Sequence, residues 1–181
     1  LHLETPACDN SLFSAFFQSV QEAGYPLTED VNGFQQEGFG KFDRTTFRGR
    51  RWNAARAYIH PILDRPNLEI RCRTLVRRIV FDGTRAVGVE LAGSGTVIRA
   101  NEIICCGGAI NSPQLLQLSG IGDPTLLEQH GIEVVCGNNN VGEHLEDHAE
   151  VYVQYACTQP VSLYPALKWY RAPWIGAQWL F

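Results

Sequence analysis

The chain has 181 residues, 15 Lys and Arg against 19 Asp and Glu, a net charge of -4, and 45% hydrophobic and 19% charged residues. Such a mix can bury a core in one or one and a half domains. It excludes a general attraction to nucleic acid or an anionic membrane, and no run of about 18 apolar residues is present to form a spanning helix.

Asn10 and Ser11 precede Leu12, Phe13, Phe16, Phe17 and Val20, a helical spacing with a cap, ended by Gly24 and Pro26. Residues 27–51 are rich in Gly, Asn, Gln, Asp and Arg, with Phe34, Phe39, Phe42 and Phe47 interspersed, and read as an irregular loop or short strands. Trp52 to Ile59 fits a short helix stopped before Pro61. Leu68 to Cys72 alternates as a strand does, and Leu75 to Phe81 is a second strand turned by Asp82-Gly83. Ala86 to Leu91 and Thr96 to Arg99 complete an antiparallel meander. Glu102 to Cys106 is apolar without alternation, as in a strand buried on both faces of a parallel sheet.

Gly107-Gly108 follows at once. Ser112 then reads as a helix cap with Pro113 at the first position, and Ser119-Gly120-Ile121-Gly122 stops the helix. Asp123, Pro124 and Gly131 punctuate another helix in the same way. Residues 136–142 form a Gly/Asn-rich loop, and Val151 to Tyr155 reads as a strand. Leu167 to Phe181, with Trp169, Trp174 and Trp179, reads as the start of a second, substrate-side domain.

The chain begins at Leu1, contains no Met and ends at Trp179-Leu180-Phe181 inside a helical pattern. It therefore reads as an internal piece of a longer protein, with any targeting signal outside it. Six cysteines, at 8, 72, 105, 106, 136 and 157, have irregular spacing and no Cys-x-x-Cys. They read as buried free thiols in a reducing compartment.

The glycines carry the strongest hint of chemistry. Without side chains, Gly107 and Gly108 let a ligand reach the main chain. They follow the carboxyl end of a strand and precede the positive end of a helix dipole. A tight strand-to-helix turn with no ligand fits the same spacing. Neither this motif nor Gly93-Ser94-Gly95 is a Gly-x-Gly-x-x-Gly phosphate loop, and no Gly-x-Ser-x-Gly elbow supports a serine hydrolase. His144 and His148 stand four apart, but Leu145 follows His144 and no third ligand is evident. The stretch reads as a polar turn rather than a metal site. Arg44, Arg48, Arg50, Arg51 and Arg56 read as a solvated face in preference to a phosphate contact.

Gly108-Ala109, Ser112-Pro113, Leu115-Leu116 and Ser119-Gly120-Ile121-Gly122 together resemble the second signature of the glucose–methanol–choline oxidoreductases. Asn32 to Gly40, Arg85 to Glu90 and Val141 to His148 resemble its choline-oxidising branch, closest to the animal mitochondrial form. So do Gln21 to Pro26 and Pro160 to Leu167, and the likeness runs over essentially the whole chain. The resemblance implies an α/β (mixed α+β) fold, in which part of an FAD-binding Rossmann-like domain is interleaved with part of a substrate-binding domain. Residues 1–50 would belong to the substrate or cap region, 51–149 to the FAD-binding domain and 150–181 to the start of the substrate-binding domain.

It also implies FAD as cofactor, with hydride transfer from choline to give betaine aldehyde and electrons passing to a respiratory-chain acceptor. The location implied is mitochondrial, associated with the inner membrane, with no nucleic-acid partner and no metal. Val76, through its backbone, and Gly107, Gly108 and Ala109 are the cofactor-binding residues that carry over. The first nucleotide loop would lie before Leu1 and the catalytic His after Phe181. None of the five histidines here is assigned a catalytic role, and the chain alone is expected to be inactive. Ala156 supplies no carboxylate, which leaves a substrate cation to aromatic faces or another carboxylate. The loop at Cys136 to Gly142 departs from the family's usual Leu-Pro-Gly before Val-Gly. Alternatives are another alcohol dehydrogenase or oxidase of the family, or a non-catalytic binding module on the same fold, which would carry no flavin absorbance.

Overall fold

Asn10 takes an extended conformation, and its side chain accepts the Leu12 N–H at 2.9 Å, so α1 (Ser11–Glu22) begins where the cap signal lies. The computed structural model describes every residue except Leu163 and Phe181, and the side chains of Pro165, Ala166, Gln178, Trp179 and Leu180 are also outside the description. The aromatic tail expected at Trp179 falls among these. The chain divides into two units, Leu1–Leu68 with Tyr152–Phe181, and Glu69–Val151.

In the first unit, β1 (Thr46–Phe47) and β2 (Arg50–Arg51) pair antiparallel. Arg48 and Gly49 join them, both at positive φ, as a type I′ hairpin requires. Loop aromatics pack edge to face: Phe39 against Phe16 and Tyr25, Phe47 against Trp52. The helix expected over 52–59 is a π-helical turn, Ala55–Ile59, that runs on into a 3₁₀ turn, His60–Ile62. Pro61 does not stop the chain there. It falls at the first turn of the new helix, where a missing N–H costs nothing. The unit ends in α4 (Ala172–Leu180).

In the second unit, β3 (Val76–Asp82), β4 (Arg85–Leu91) and β5 (Val97–Arg99) form the expected antiparallel meander in that order. Gly83, at φ +57°, opens the two-residue β3–β4 turn. Glu90 is buried in this sheet, and its carboxylate accepts from Arg77 at 2.9 Å and Arg78 at 2.7 Å. The helix α2 (Gly108–Leu118) packs on β3 through Ser119, just past its end. The buried Ser119 Oγ accepts the Ile79 N–H at 2.8 Å and donates to the Leu115 carbonyl at 2.5 Å. A short parallel ladder, β6 (Ile121–Gly122) with β7 (Cys136–Gly137), follows, with α3 (Pro124–Gln129) between them. Asp123 caps α3 by accepting the Thr125 N–H at 2.8 Å, and Gly131 leaves it at φ +67°. Leu127, 1% exposed, anchors the core with Ile79.

Five expectations are corrected. Leu68 to Cys72, Glu102 to Cys106 and Val151 to Tyr155 are not strands. A strand exists only with a partner to bond, and no ladder forms along these runs. Ile104 is accordingly 77% exposed and Tyr155 89%. The helix expected to begin at Pro113 after a Ser112 cap starts five residues earlier, at Gly108, with Gly107 as cap and Pro113 inside it. The cysteines are free but not buried: five are exposed and Cys8 is half-buried. Four of them, Cys72, Cys105, Cys106 and Cys157, lie in or beside the runs that form no strand.

Candidate functional site at the head of α2

Paired glycines decide how α2 begins. Gly108 sits at φ +83°, a conformation open to glycine, and a Cβ built there would meet nothing within 4 Å. The main chain at this point is therefore bare and approachable. Gly107 is more confined, because a Cβ there would meet Asn111 and the Ser112 N–H at 3.2 Å.

Ser112, expected to cap the helix, does related work from inside it. Its Oγ accepts the Gly107 N–H at 2.9 Å. The N–H groups of Gly108, Ala109 and Ile110 fall in the first turn and have no intrahelical acceptor. Pro113 has no N–H to offer the Ala109 carbonyl. The head of α2 thus presents donors, one acceptor and the positive end of a helix dipole around a residue without a side chain.

A cleft of about 800 Å³ runs from Ala109 and Ile110 along α2 to residues 140–146. Its helix wall mixes Ala109, Ile110, Pro113 and Leu116 with the polar Ser112, Gln114 and Gln117, and Ile110 is 70% exposed. Its loop wall carries Glu143, His144 and Glu146. His144 adopts φ +58°, and Gly142 φ +91°. Among the described residues, no group of three or more His, Cys, Asp or Glu is placed to hold a metal ion.

Val76 is the first residue of β3 and stands opposite Leu91. Leu91 donates its N–H to the Thr96 carbonyl at 2.8 Å and accepts from the Gly95 N–H at 3.1 Å, both on the β5 side. The Val76–Leu91 pair is therefore non-hydrogen-bonded, and the N–H and carbonyl of Val76 point off the open edge of β3. Val76 and the glycines of α2 share one unit on packed elements. The hydrogen bond described between those elements is that of Ser119 with Ile79, at the far end of α2 from Gly107.

The arginine-rich run lies in the other unit. Arg44 and Arg51 line an open cleft of about 850 Å³ together with Glu4 and Asp43, so acid and base alternate there. Thr46 Oγ1 donates to Glu4 at 2.5 Å and the Arg48 N–H donates at 2.9 Å, and these bonds hold the carboxyl of Glu4 below its ordinary range. Sequence reasoning missed this tie, the Glu90 cluster and Ser119. Each joins residues 40 or more apart or depends on strand register, and no local spacing signals it.

The family model described as GMC oxidoreductase matches residues 1–150. The mitochondrial choline dehydrogenase of Mus musculus is 52% identical over 184 residues, covering 100% of this chain and 31% of its own length. The oxygen-dependent choline dehydrogenase of Klebsiella pneumoniae is 54% identical over 179 residues, covering 96% of this chain and 32% of its own. The chain thus spans about a third of the length of the curated relatives it matches. Among solved structures, pyridoxine 4-oxidase from Mesorbium loti superposes with a TM-score of 0.68 at 30% identity, over 75% of this chain and 27% of that one. An FAD-dependent oxidoreductase from Chaetomium thermophilum gives 0.70 at 27% identity, over 75% and 24%.

Proposed function

This chain belongs to the GMC oxidoreductase family, and from that premise we propose that it supplies part of the FAD-binding wall of an enzyme oxidising choline to betaine aldehyde. FAD is the cofactor of this family. The observation that carries the substrate is the identity of 52% with a choline dehydrogenase over the whole chain. The residues at the head of α2 suit the cofactor. A bulky, partly anionic ligand needs bare main chain, donors and a favourable dipole, and Gly107, Gly108 and Ala109 offer all three.

Bound FAD supplies the acceptor for a hydride leaving the alcohol carbon. This chain's part is to bind and orient. Val76 presents its main-chain N–H and carbonyl from the open edge of β3, where the adenine is proposed to lie. Arg77 and Arg78, tied to Glu90, hold that edge in register. Gly108 allows approach to the helix head, and the cleft beside Ala109 leaves room along α2. No histidine of this chain is assigned a proton-transfer role.

A respiratory-chain acceptor and a mitochondrial, inner-membrane-associated location complete the proposal, with the mammalian relative supporting the compartment. No described helix is long and apolar enough to cross a membrane. The likeness to pyridoxine 4-oxidase favours, as a second reading, another alcohol of the same family.

The test is a segment exchange. This chain replaces the matching segment of the Klebsiella pneumoniae relative, and the purified hybrid is assayed for flavin absorbance and for turnover of choline and pyridoxine. A flavin-loaded hybrid that oxidises choline is expected. A folded hybrid without flavin sinks the cofactor reading, and turnover of pyridoxine alone replaces choline by the second reading.

A further inference from the structure

Gln117 lies near the end of α2, far from the bare glycines at its head, yet it meets the loop that forms the other wall of the cleft. Its Nε2 donates to the Val141 carbonyl at 2.9 Å. A slot between two glycines receives the side chain. A Cβ at Gly122 would approach Gln117 Cγ at 3.2 Å, and one at Gly142 would stand 2.6 Å from Nε2. The second distance is closer than real Cβ contacts, so a side chain at Gly142 would push the Gln117 amide from its present place.

Without that amide, few bonds hold the loop in place. Asn140 N–H donates to Asn138 Oδ1 at 3.0 Å, and the backbone turns are long, with Val141 N–H to Asn138 and Glu143 N–H to Asn140 both at 3.3 Å. Its outer residues are exposed, Leu145 at 68%.

We propose that Gln117 is a positioning residue that, locked against Gly142, fixes the 140–146 loop and thereby sets the width of the cleft beside the FAD-contacting head of α2. The assignment rests on the FAD reading above. It differs from that reading because Gln117 itself touches no proposed cofactor group.

The experiment uses Gln117→Leu, Gln117→Ala, Gly142→Ala and the Gln117→Ala/Gly142→Ala double variant. In this chain as it stands, Gln117→Leu should speed amide exchange at Asn140, Val141 and Glu143 by about three- to tenfold, the equivalent of one ordinary hydrogen bond. In the flavin-loaded hybrid, it should weaken FAD binding by a similar factor and shift the flavin absorbance band, which a purely structural role would leave in place. The double variant should bind FAD no worse than Gly142→Ala alone, because Gln117→Ala removes the atom that Cβ would strike. The backbone strain of Ala at φ +91° is present in both Gly142→Ala proteins and cancels in the cycle.

Unchanged exchange in Gln117→Leu overturns the lock. Faster exchange with FAD affinity and spectrum unaltered overturns the positioning role, and so do strictly additive effects in the cycle. A wild-type hybrid without flavin defeats the FAD reading and, with it, the positioning of the cofactor, while the exchange rates still decide the lock.

Discussion

Glu90 is 7% exposed, yet it carries a charge, and it is tolerated because Arg77 and Arg78 both reach it. The hydrogen bond from Arg78 is the main cause holding its carboxyl below the ordinary range, with the charges of Arg78 and Arg77 adding to it against burial. The sign of the pH effect follows. The folded pKa lies below the unfolded value of about 4.3, so the stabilisation is full above that value and is lost as pH falls through the folded pKa. Thermal melts should show a midpoint falling as the solution is acidified below about pH 4.3. Glu90→Gln should have a lower midpoint at neutral pH and a flatter acid limb. An acid limb as steep as that of the parent would refute this assignment. Glu4 and Glu69, also shifted down, leave some residual slope. None of this is legible in sequence, where Arg77 and Glu90 stand 13 apart and only the strand register brings them together.

Helices capped by their own residues were readable; elements that need a distant partner were not. Asn10 and Asp123 cap as their spacing implies because the bond is local. The β3–β4–β5 meander was readable for the same reason, since each strand pairs with its sequence neighbour. The start of α2 was misplaced because Ser-Pro mimics a cap, whereas the glycines before it already allow the helical turn. The parallel β6–β7 ladder, two residues on each side, gives no period to detect. Gly120 connects α2 to that ladder at φ +88°, and a Cβ there would lie 2.4 Å from the Glu133 carbonyl oxygen. Both strain and collision oppose a side chain, so Gly120→Ala should cost about 2 kcal/mol or more in urea unfolding. A change within about 0.5 kcal/mol would show that the junction yields easily.

For the molecule as a whole, family membership was legible because signature residues follow one another closely at α2. The candidate site around them was legible only in part. Gly107 and Gly108 announce bare main chain, but the open edge at Val76 and the Gln117–Gly142 contact emerge only on folding. The chain spans about a third of its curated relatives and has no residue assigned to proton transfer. We expect it to show no choline turnover on its own with FAD and an electron acceptor present, assayed beside the segment-exchange hybrid. Turnover by the 181 residues alone would contradict that division of labour.

The two units also differ in how their chain is supplied. Glu69–Val151 is one continuous stretch, whereas the other unit needs both Leu1–Leu68 and Tyr152–Phe181, with Asn10 Nδ2 donating to the Val161 carbonyl across 151 positions. During synthesis the continuous unit can close as soon as its last residues leave the ribosome. Residues 1–68 cannot complete their unit until residues 152–181 have followed them. Within this stretch, the continuous unit can thus close before the unit whose first residues precede it.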